Sequence, residues 1–231
     1  MSPEQFVAEL KKTLEAHRNP AQAAPMAKHM KGQFPFLGLK RPEHQALAKP
    51  LLAQIRGKMD ERWLRQAVRS LWALPEREFQ YTAYELLWAN RNALTPSSLA
   101  LAKKLLTQKP LWDSVDALSG SLVGPLVLRF PKLKTEMDRF ARHPNFWLRR
   151  RALIHQLGYK HHTDAEQLFR YCLDNAADGE FFIRKGMGWA LREYAKTDWD
   201  AVYGFVEQHK DKLSAFTLRE ALKHKKGAEA V

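Results

Sequence analysis

Prolines divide this sequence into segments of helical length. Proline is tolerated in the first turn of a helix and breaks a helix interior. Eight prolines stand at or just ahead of the start of a segment with helical periodicity: Pro3, Pro20, Pro42, Pro75, Pro96, Pro110, Pro131 and Pro144. Capping boxes are predicted where Ser2 precedes Gln5 and where Thr163 precedes Glu166. No alternating β-branched runs joined by Asn-Gly or Asp-Gly turns occur, so the sequence predicts an all-α fold.

The predicted helices are joined by short connections, which favour antiparallel neighbours. They span residues 3–17, 21–31, 42–56, 60–73, 76–91, 96–108, 111–129, 132–142, 145–159, 163–176, 180–196, 198–209 and 214–225. Pro50 and Pro125 fall inside two of them and predict a kink or a break. Helix pairs in this number are typical of an α-solenoid of HEAT-like repeats, with a period of roughly 40–47 residues. We expect one HEAT-like repeat domain over residues 1–231, with a concave basic groove.

The charge of the chain favours a polyanionic partner. Lys and Arg number 38 against 25 Asp and Glu, which gives a formal net charge of +13. Such an excess is typical of nucleic-acid binding and, less often, of binding to an anionic membrane surface. We expect no signal peptide and no membrane span. The single cysteine, Cys172, excludes an intramolecular disulfide, so a reducing cytoplasm is expected, with association to a bacterial nucleoid on DNA binding.

The helix predicted over residues 180–196 carries a second stripe of side chains beside its apolar face. Lys185, Trp189 and Arg192 recur at i, i+4 and i+7, so a tryptophan lies between two cations on one face. Gly186 and Gly188 flank this stripe, and each costs about 1 kcal/mol relative to alanine in a helix interior. We expect these glycines to allow a close approach to the helix backbone. Alternatively, Trp189 packs on a neighbouring helix while the cations extend to solvent.

A second stripe joins an aromatic ring to a carboxylate. Trp112, Asp116 and Ser119 share one helical face, and Trp112 and Asp116 stand one turn apart. Alternatively, Asp116 is an exposed acid or one partner of an interhelical ion pair.

Arg150 interrupts an apolar stripe between Phe146 and Leu153. It must therefore reach solvent, an acid or a ligand, because burying an unpaired charge is costly.

The tryptophans and charged residues of these stripes recur at about the length of one repeat. Intervals of 34 to 42 residues separate Trp112, Trp147 and Trp189 in one series, and Asp116, Arg150 and Arg192 in another. Equivalent positions of successive repeats line one surface of a solenoid. Tryptophan faces bind cations or sugars, and arginine forks bind phosphate. The sequence therefore predicts a cleft for a cationic group held next to phosphates.

Signals for other chemistry are weak. His161 and His162 are adjacent and lack the i, i+4 spacing of helical metal ligands. The sequence contains no phosphate-binding or dinucleotide-binding glycine motif. Cys172 lies in an apolar helical segment and is expected to be a small core residue. We predict no cofactor and no metal.

Three runs carry a resemblance to a known family: WDSVD at 112–116, NFWLRR at 145–150 and EFFIRKGMGWALREY at 180–194. They resemble the AlkD-type DNA alkylation repair proteins, which are alkylpurine DNA glycosylases built from HEAT-like repeats. PMAKHM at 25–30 and FPFLG at 34–38 are similar to the N-terminal helices of that family. The resemblance covers nearly the whole chain. It implies duplex DNA with alkylated bases as the partner, bound by a monomer.

The resemblance also implies roles for individual residues. Trp112, Asp116 and Trp189 are implied to form the catalytic cleft. Arg150 and Arg192 fall on positions implied to contact the DNA backbone.

One DNA-binding residue is predicted without the resemblance, and two residues depart from the pattern of the family. Lys185 is added as a DNA-binding residue on the evidence of its stripe alone. His29 and Lys40 stand where the resemblance leads us to expect a tyrosine and a neutral polar residue. That departure bears on the range of lesions rather than on the chemistry.

The implied activity is hydrolysis of the N-glycosidic bond of N3- and N7-alkylated purines without base flipping. Such a base carries a positive charge and leaves without protonation. Two other functions stay open: a non-catalytic HEAT-repeat protein that recognises damaged or branched DNA, and a HEAT adaptor for an acidic protein. The intact set of Trp112, Asp116 and Trp189 favours the enzyme.

Overall fold

The computed structural model describes residues 1–57 and 59–223, and these contain helices and no strand. The all-α prediction is therefore confirmed. The α-helices are α1 Pro3–Ala16, α2 Pro20–His29, α3 Arg41–Ile55, α4 Glu61–Ala73, α5 Arg77–Ala89, α6 Ser98–Thr107, α7 Trp112–Leu118, α8 Gly124–Arg129, α9 Lys134–Ala141, α10 Phe146–Ile154, α11 Ala165–Asp174, α12 Phe181–Ala195, α13 Trp199–Gln208 and α14 Ala215–Ala221. None of the described helices is both long and apolar enough to cross a membrane.

One of the two predicted capping boxes is confirmed. The Ser2 hydroxyl accepts from the backbone N–H of Gln5, whose side chain accepts from the Ser2 N–H, so this capping box is confirmed. The capping box predicted at Thr163 is wrong. Asp164 is the N-cap of α11, because its carboxylate accepts from the Gln167 N–H at 3.0 Å.

The two internal prolines have different effects. The helix predicted over residues 111–129 is interrupted, because α7 gives way to a π-helical turn at Ser119–Val123 before α8. The Gly124 N–H closes this turn by donating to the Ser119 carbonyl five residues back. Pro125, which has no N–H to donate, follows directly. In contrast, α3 runs through Pro50 without a break.

Backbone contacts divide the chain into two compact units, and the division falls between Leu101 and Ala102, within α6. In the first unit α1 packs against α3 and α4, and α4 packs against α5. The predicted single domain over residues 1–231 stays a prediction.

A buried carboxylate organises the chain ahead of α3 in the first unit. Glu78 is fully buried on α5 and accepts the backbone N–H groups of Leu37, Gly38 and Leu39 at 3.0, 2.9 and 3.1 Å. Gly38 has a φ of +93°, and a Cβ there would lie 2.0 Å from the Asn19 carbonyl oxygen. Glycine is therefore required at this close approach.

The second unit places four helices in a series of neighbours. α10 packs against α7 on one side and α12 on another, and α12 packs against α14. α9 and α11 pack against α10, while α11 and α13 pack against α12. Stacked helix pairs of this kind are typical of α-solenoids, and the predicted fold class is confirmed. Cys172 on α11 is fully buried, as predicted, and burial raises the pKa of its thiol.

Candidate active site

Asp116 and Arg150 form a two-pronged ion pair between α7 and α10. The Arg150 guanidinium donates from Nε to Oδ1 at 2.8 Å and from Nη2 to Oδ2 at 2.7 Å. Arg150 is only 2% exposed, whereas the Asp116 side chain is 19% exposed. Charge-assisted forks of this kind are stronger and more directional than single hydrogen bonds. The carboxylate is therefore held in one orientation while part of it remains accessible.

The third donor of Arg150 fixes the pair against α12. Nη1 donates to the Phe182 carbonyl at 2.6 Å, in the first turn of that helix. A Cβ at Gly186 would lie 3.2 Å from the same Nη1 atom. Gly186 thus gives the guanidinium room against the backbone of α12. The expectation that this glycine allows a close approach is confirmed, and the approaching group is Arg150.

The two predicted catalytic tryptophans lie on the helices that flank this pair. Trp112 opens α7 one turn before Asp116 and is 38% exposed. Trp189 is half-buried on α12, one turn beyond Gly186, which is about 5 Å along the helix axis. Both residues therefore belong to helices that contact α10, the helix that carries Arg150.

Arg192 and Lys185 lie beside α14. Nη1 of Arg192 donates to the Glu220 carboxylate at 2.7 Å and to the Glu220 carbonyl at 3.0 Å. The hydrogen bond from Arg192 is the main cause of the lowered pKa of Glu220, and the charge of Lys185 contributes. Lys185 itself is exposed, with Nζ 5.6 Å from the centre of the Phe181 ring.

Gly188 explains how α14 comes so close to this stripe. A Cβ at Gly188 would lie 2.5 Å from the Glu220 Cβ and 3.1 Å from the Thr217 carbonyl oxygen. The second glycine that was expected to allow a close approach therefore lies at the contact between α12 and α14. Two residues of the predicted stripe, Lys185 and Arg192, consequently act on Glu220 of α14.

Trp147 differs from the other tryptophans of its predicted series. It is 7% exposed and packs against Phe146 and Phe182, with ring centres 4.5 and 5.0 Å apart. The expectation that all three tryptophans line one cleft is wrong for this residue. Trp147 instead supports the first turn of α12, which receives Arg150.

The sequence did not identify two residues around the pair. Phe182 contributes a backbone carbonyl, which no side-chain pattern reveals. Glu220 lies 28 residues beyond its partner Arg192. Ser119 was predicted on the face of Asp116, but it is buried in the π-helical turn and bonded to Arg151 of α10. Within residues 1–57 and 59–223, no three His, Cys, Asp or Glu side chains are grouped closely enough to hold a metal ion.

The arrangement can oppose a developing positive charge and orient a water molecule. A fixed, partly exposed carboxylate performs both tasks. An exposed tryptophan one turn away adds a π face for a cation or a sugar. These features define an all-α protein with an arginine-held carboxylate next to a tryptophan as its candidate site.

Comparison with known proteins gives the family. The family model described as DNA alkylation repair enzyme matches residues 10–224, and the chain belongs to that family. It is also similar to a solved structure described as "Predicted DNA alkylation repair enzyme from Enterococcus faecalis". The two share 36% identity over 92% of this chain and 98% of the other, with a TM-score of 0.83. No curated protein matches the sequence significantly.

Proposed function

We propose that the protein is a DNA glycosylase that releases positively charged N3- and N7-alkylated purines from duplex DNA. The observation that carries this proposal is the partly exposed Asp116 carboxylate, held by both prongs of Arg150. Membership of the DNA alkylation repair family supports DNA as the partner. The specific reaction rests on the chemistry of the site.

The reaction is a hydrolysis in which the positively charged base is already a good leaving group. The bond between C1′ of the deoxyribose and the purine nitrogen breaks, and its electron pair neutralises the positive charge of the base. Water then forms a bond to C1′, and its proton passes to Asp116 or to solvent. Asp116 opposes the oxocarbenium-like charge and orients the water. No general acid is needed, because the base leaves neutral.

The tryptophans are proposed to flank the sugar. Trp112 is exposed one turn from Asp116, and Trp189 lies on α12 beside the Arg150 contact. A ring facing a developing cation contributes on the order of 0.5–2 kcal/mol when water is excluded. Because the rings are proposed to contact the sugar and not the base, no base flipping is proposed.

Three cations are proposed to bind the DNA backbone. Lys185 is exposed and suits a phosphate contact directly. Arg192 is bonded to Glu220, so a phosphate would have to replace that carboxylate. Arg150 is bonded to Asp116 and Phe182, so its proposed backbone contact would share the guanidinium with the catalytic carboxylate. We further propose a concave basic groove, a monomeric protein and a cytoplasmic location.

The proposed chemistry is tested by the charge of the lesion. Duplexes that carry 7-methylguanine or 3-methyladenine are expected to lose the free base, and bulky N3 or N7 adducts are expected to be tolerated. Uncharged lesions are expected to react poorly, because their leaving groups are worse. Base release is measured by chromatography under single-turnover conditions. Equal excision of charged and uncharged lesions would contradict the proposal.

A second function is favoured by one feature of the same pair. Arg150 is almost wholly buried, and a buried ion pair between helices can be purely structural. In that case the protein recognises damaged or branched DNA without catalysis. Tight, salt-sensitive DNA binding with no base release from any alkylated duplex would establish this function.

A further inference from the structure

Arg151 is a fully buried guanidinium directly after Arg150 on α10. Its Nη1 donates to the Val115 carbonyl at 3.4 Å and to the Ser119 hydroxyl. Among the described residues, its Nε and Nη2 have no hydrogen-bond partner. Burial lowers its pKa to about 9, and the charge of Asp116 offsets part of this effect. Burying such a group costs free energy, so its position calls for an explanation.

The two oxygens that Arg151 contacts belong to the middle of α7 and to the first residue of the π-helical turn. The Ser119 hydroxyl also donates to the Val115 carbonyl at 3.2 Å. Val115 directly precedes Asp116, and Ser119 follows it by three residues. π-helical turns are frequent at functional sites because they re-aim the groups beside them. Arg151 therefore contacts a backbone carbonyl just before the candidate catalytic carboxylate and a side-chain hydroxyl just after it.

The chain beyond Arg151 holds the same turn from its other end. A Cβ at Gly124 would lie 2.8 Å from the His155 carbonyl oxygen, so the turn and the end of α10 are in close contact. The Tyr159 hydroxyl donates to the Gly124 carbonyl at 2.5 Å. Burial raises the pKa of Tyr159, which therefore keeps its donor proton. The π-helical turn is fixed by polar contacts at both ends.

We propose that Arg151 is a positioning residue that holds Asp116 in place for catalysis. The inference rests on the proposed glycosylase function. Arg150 holds the carboxylate itself, and Arg151 holds the peptide segment that carries it. With this division, Asp116 would stay in place even if a DNA phosphate formed the proposed contact with Arg150. A displacement of about 1 Å in a catalytic group can lower a rate about 100-fold.

Three variants test the positioning role, and a fourth variant serves as a matched control. Ser119→Ala removes one acceptor, Arg151→Lys keeps the charge but removes the guanidinium, and Arg151→Met removes both charge and guanidinium. Arg149→Met is the control, because Arg149 lies on the same helix and binds Asp178 instead. Expected losses in the single-turnover rate of 7-methylguanine release are about 10-fold for Ser119→Ala and about 100-fold for Arg151→Met. Arg151→Lys is expected to restore part of the rate, and DNA affinity is expected to stay within about threefold.

A second readout is independent of activity. The exchange rate of the Arg150 Nε–H with water, measured by NMR, reports how firmly Asp116 holds that proton. Exchange is expected to accelerate about 10-fold in Ser119→Ala and to stay unchanged in Arg149→Met. Ser119→Ala carries the test if Arg151→Met fails to fold.

The outcomes separate the two proposals. Absence of base release by the wild type would overturn the proposed function, while the NMR readout still decides whether Arg151 and Ser119 hold Asp116. Wild-type release with unchanged rates and unchanged exchange in Ser119→Ala and Arg151→Lys would overturn the positioning role alone.

Discussion

Arg150 binds both carboxylate oxygens of Asp116, at 2.8 and 2.7 Å, across the contact between α7 and α10. The arginine is buried and the aspartate is partly exposed, so the pair presents a fixed carboxylate at the protein surface. Breaking such a pair leaves an uncompensated buried charge. The pair thus links the packing of two helices to the chemistry of the candidate site.

Replacing Arg150 by lysine keeps the charge and removes the fork. Lysine binds as a point charge and cannot hold both carboxylate oxygens in one plane. The single-turnover rate of base release is expected to fall about 10- to 100-fold, with a smaller change in DNA affinity. Arg142→Lys is the control, because Arg142 pairs with Asp174 at the surface. A normal rate with weakened DNA binding would contradict the role of the fork and would leave Arg150 with a phosphate contact alone.

The close contact between α12 and α14 makes Gly188 sensitive to a single methyl group. Gly188→Ala would place its Cβ 2.5 Å from the Glu220 Cβ, so α14 would have to shift. The free energy of unfolding is expected to fall by about 1–3 kcal/mol. Gly204→Ala on α13 meets no atom within 4 Å among the described residues, and is expected to stabilise by up to about 1 kcal/mol. Urea unfolding of both variants checks the contrast, and equal effects would contradict the packing described.

Glu78 is predicted to be a major stabilising residue of the first unit. In Glu78→Gln the amide would present a donor to one or more of the three backbone N–H groups that the carboxylate now accepts. The free energy of unfolding is expected to fall by about 1–3 kcal/mol. Glu85→Gln is the control, since the Gln45–Glu85 hydrogen bond is exposed. Thermal unfolding that left the two variants equally stable would disprove the role of Glu78.

His155 should make stability depend on pH in the acidic range. Burial lowers its pKa from 6.5 to about 3 in the folded protein. Between these values the unfolded chain binds more protons, so the free energy of unfolding falls as the pH drops below about 6.5. The contribution is on the order of 1 kcal/mol per pH unit.

Removing this histidine should flatten the pH dependence. His155→Gln is expected to reduce the slope of unfolding free energy against pH between about 4 and 6. His161→Gln, which changes an exposed histidine, is the control and is expected to keep the slope. Denaturant titrations at several pH values provide the measurement, and an unchanged slope in both variants would refute the assignment.

The helices could be predicted from the sequence because their signals are local. Proline positions and apolar periodicity determine where each helix begins and which face is buried. The pairing of Trp112 with Asp116 is equally local, since both lie on one turn of α7. The glycines of α12 also marked close contacts correctly.

The partners of the charged residues could not be predicted, because they depend on tertiary packing. Three consecutive arginines point about 100° apart, and the sequence does not show which of them meets Asp116. The spacing of the tryptophans also did not reveal that Trp147 is buried against Phe146 and Phe182. The π-helical turn depends on contacts with α10 that lie about 30 residues away.

We propose that Asp116 is the catalytic carboxylate of a DNA glycosylase. The most direct measurement is release of free 7-methylguanine from methylated duplex DNA by the wild type and by Asp116→Asn, with DNA affinity measured for both. Asparagine keeps the shape of the side chain and removes its charge. We predict that release falls at least about 100-fold in Asp116→Asn while DNA binding survives. Equal release by both proteins would show that Asp116 is not the catalytic carboxylate, and no release by either despite tight binding would show that the protein is not a glycosylase for this lesion.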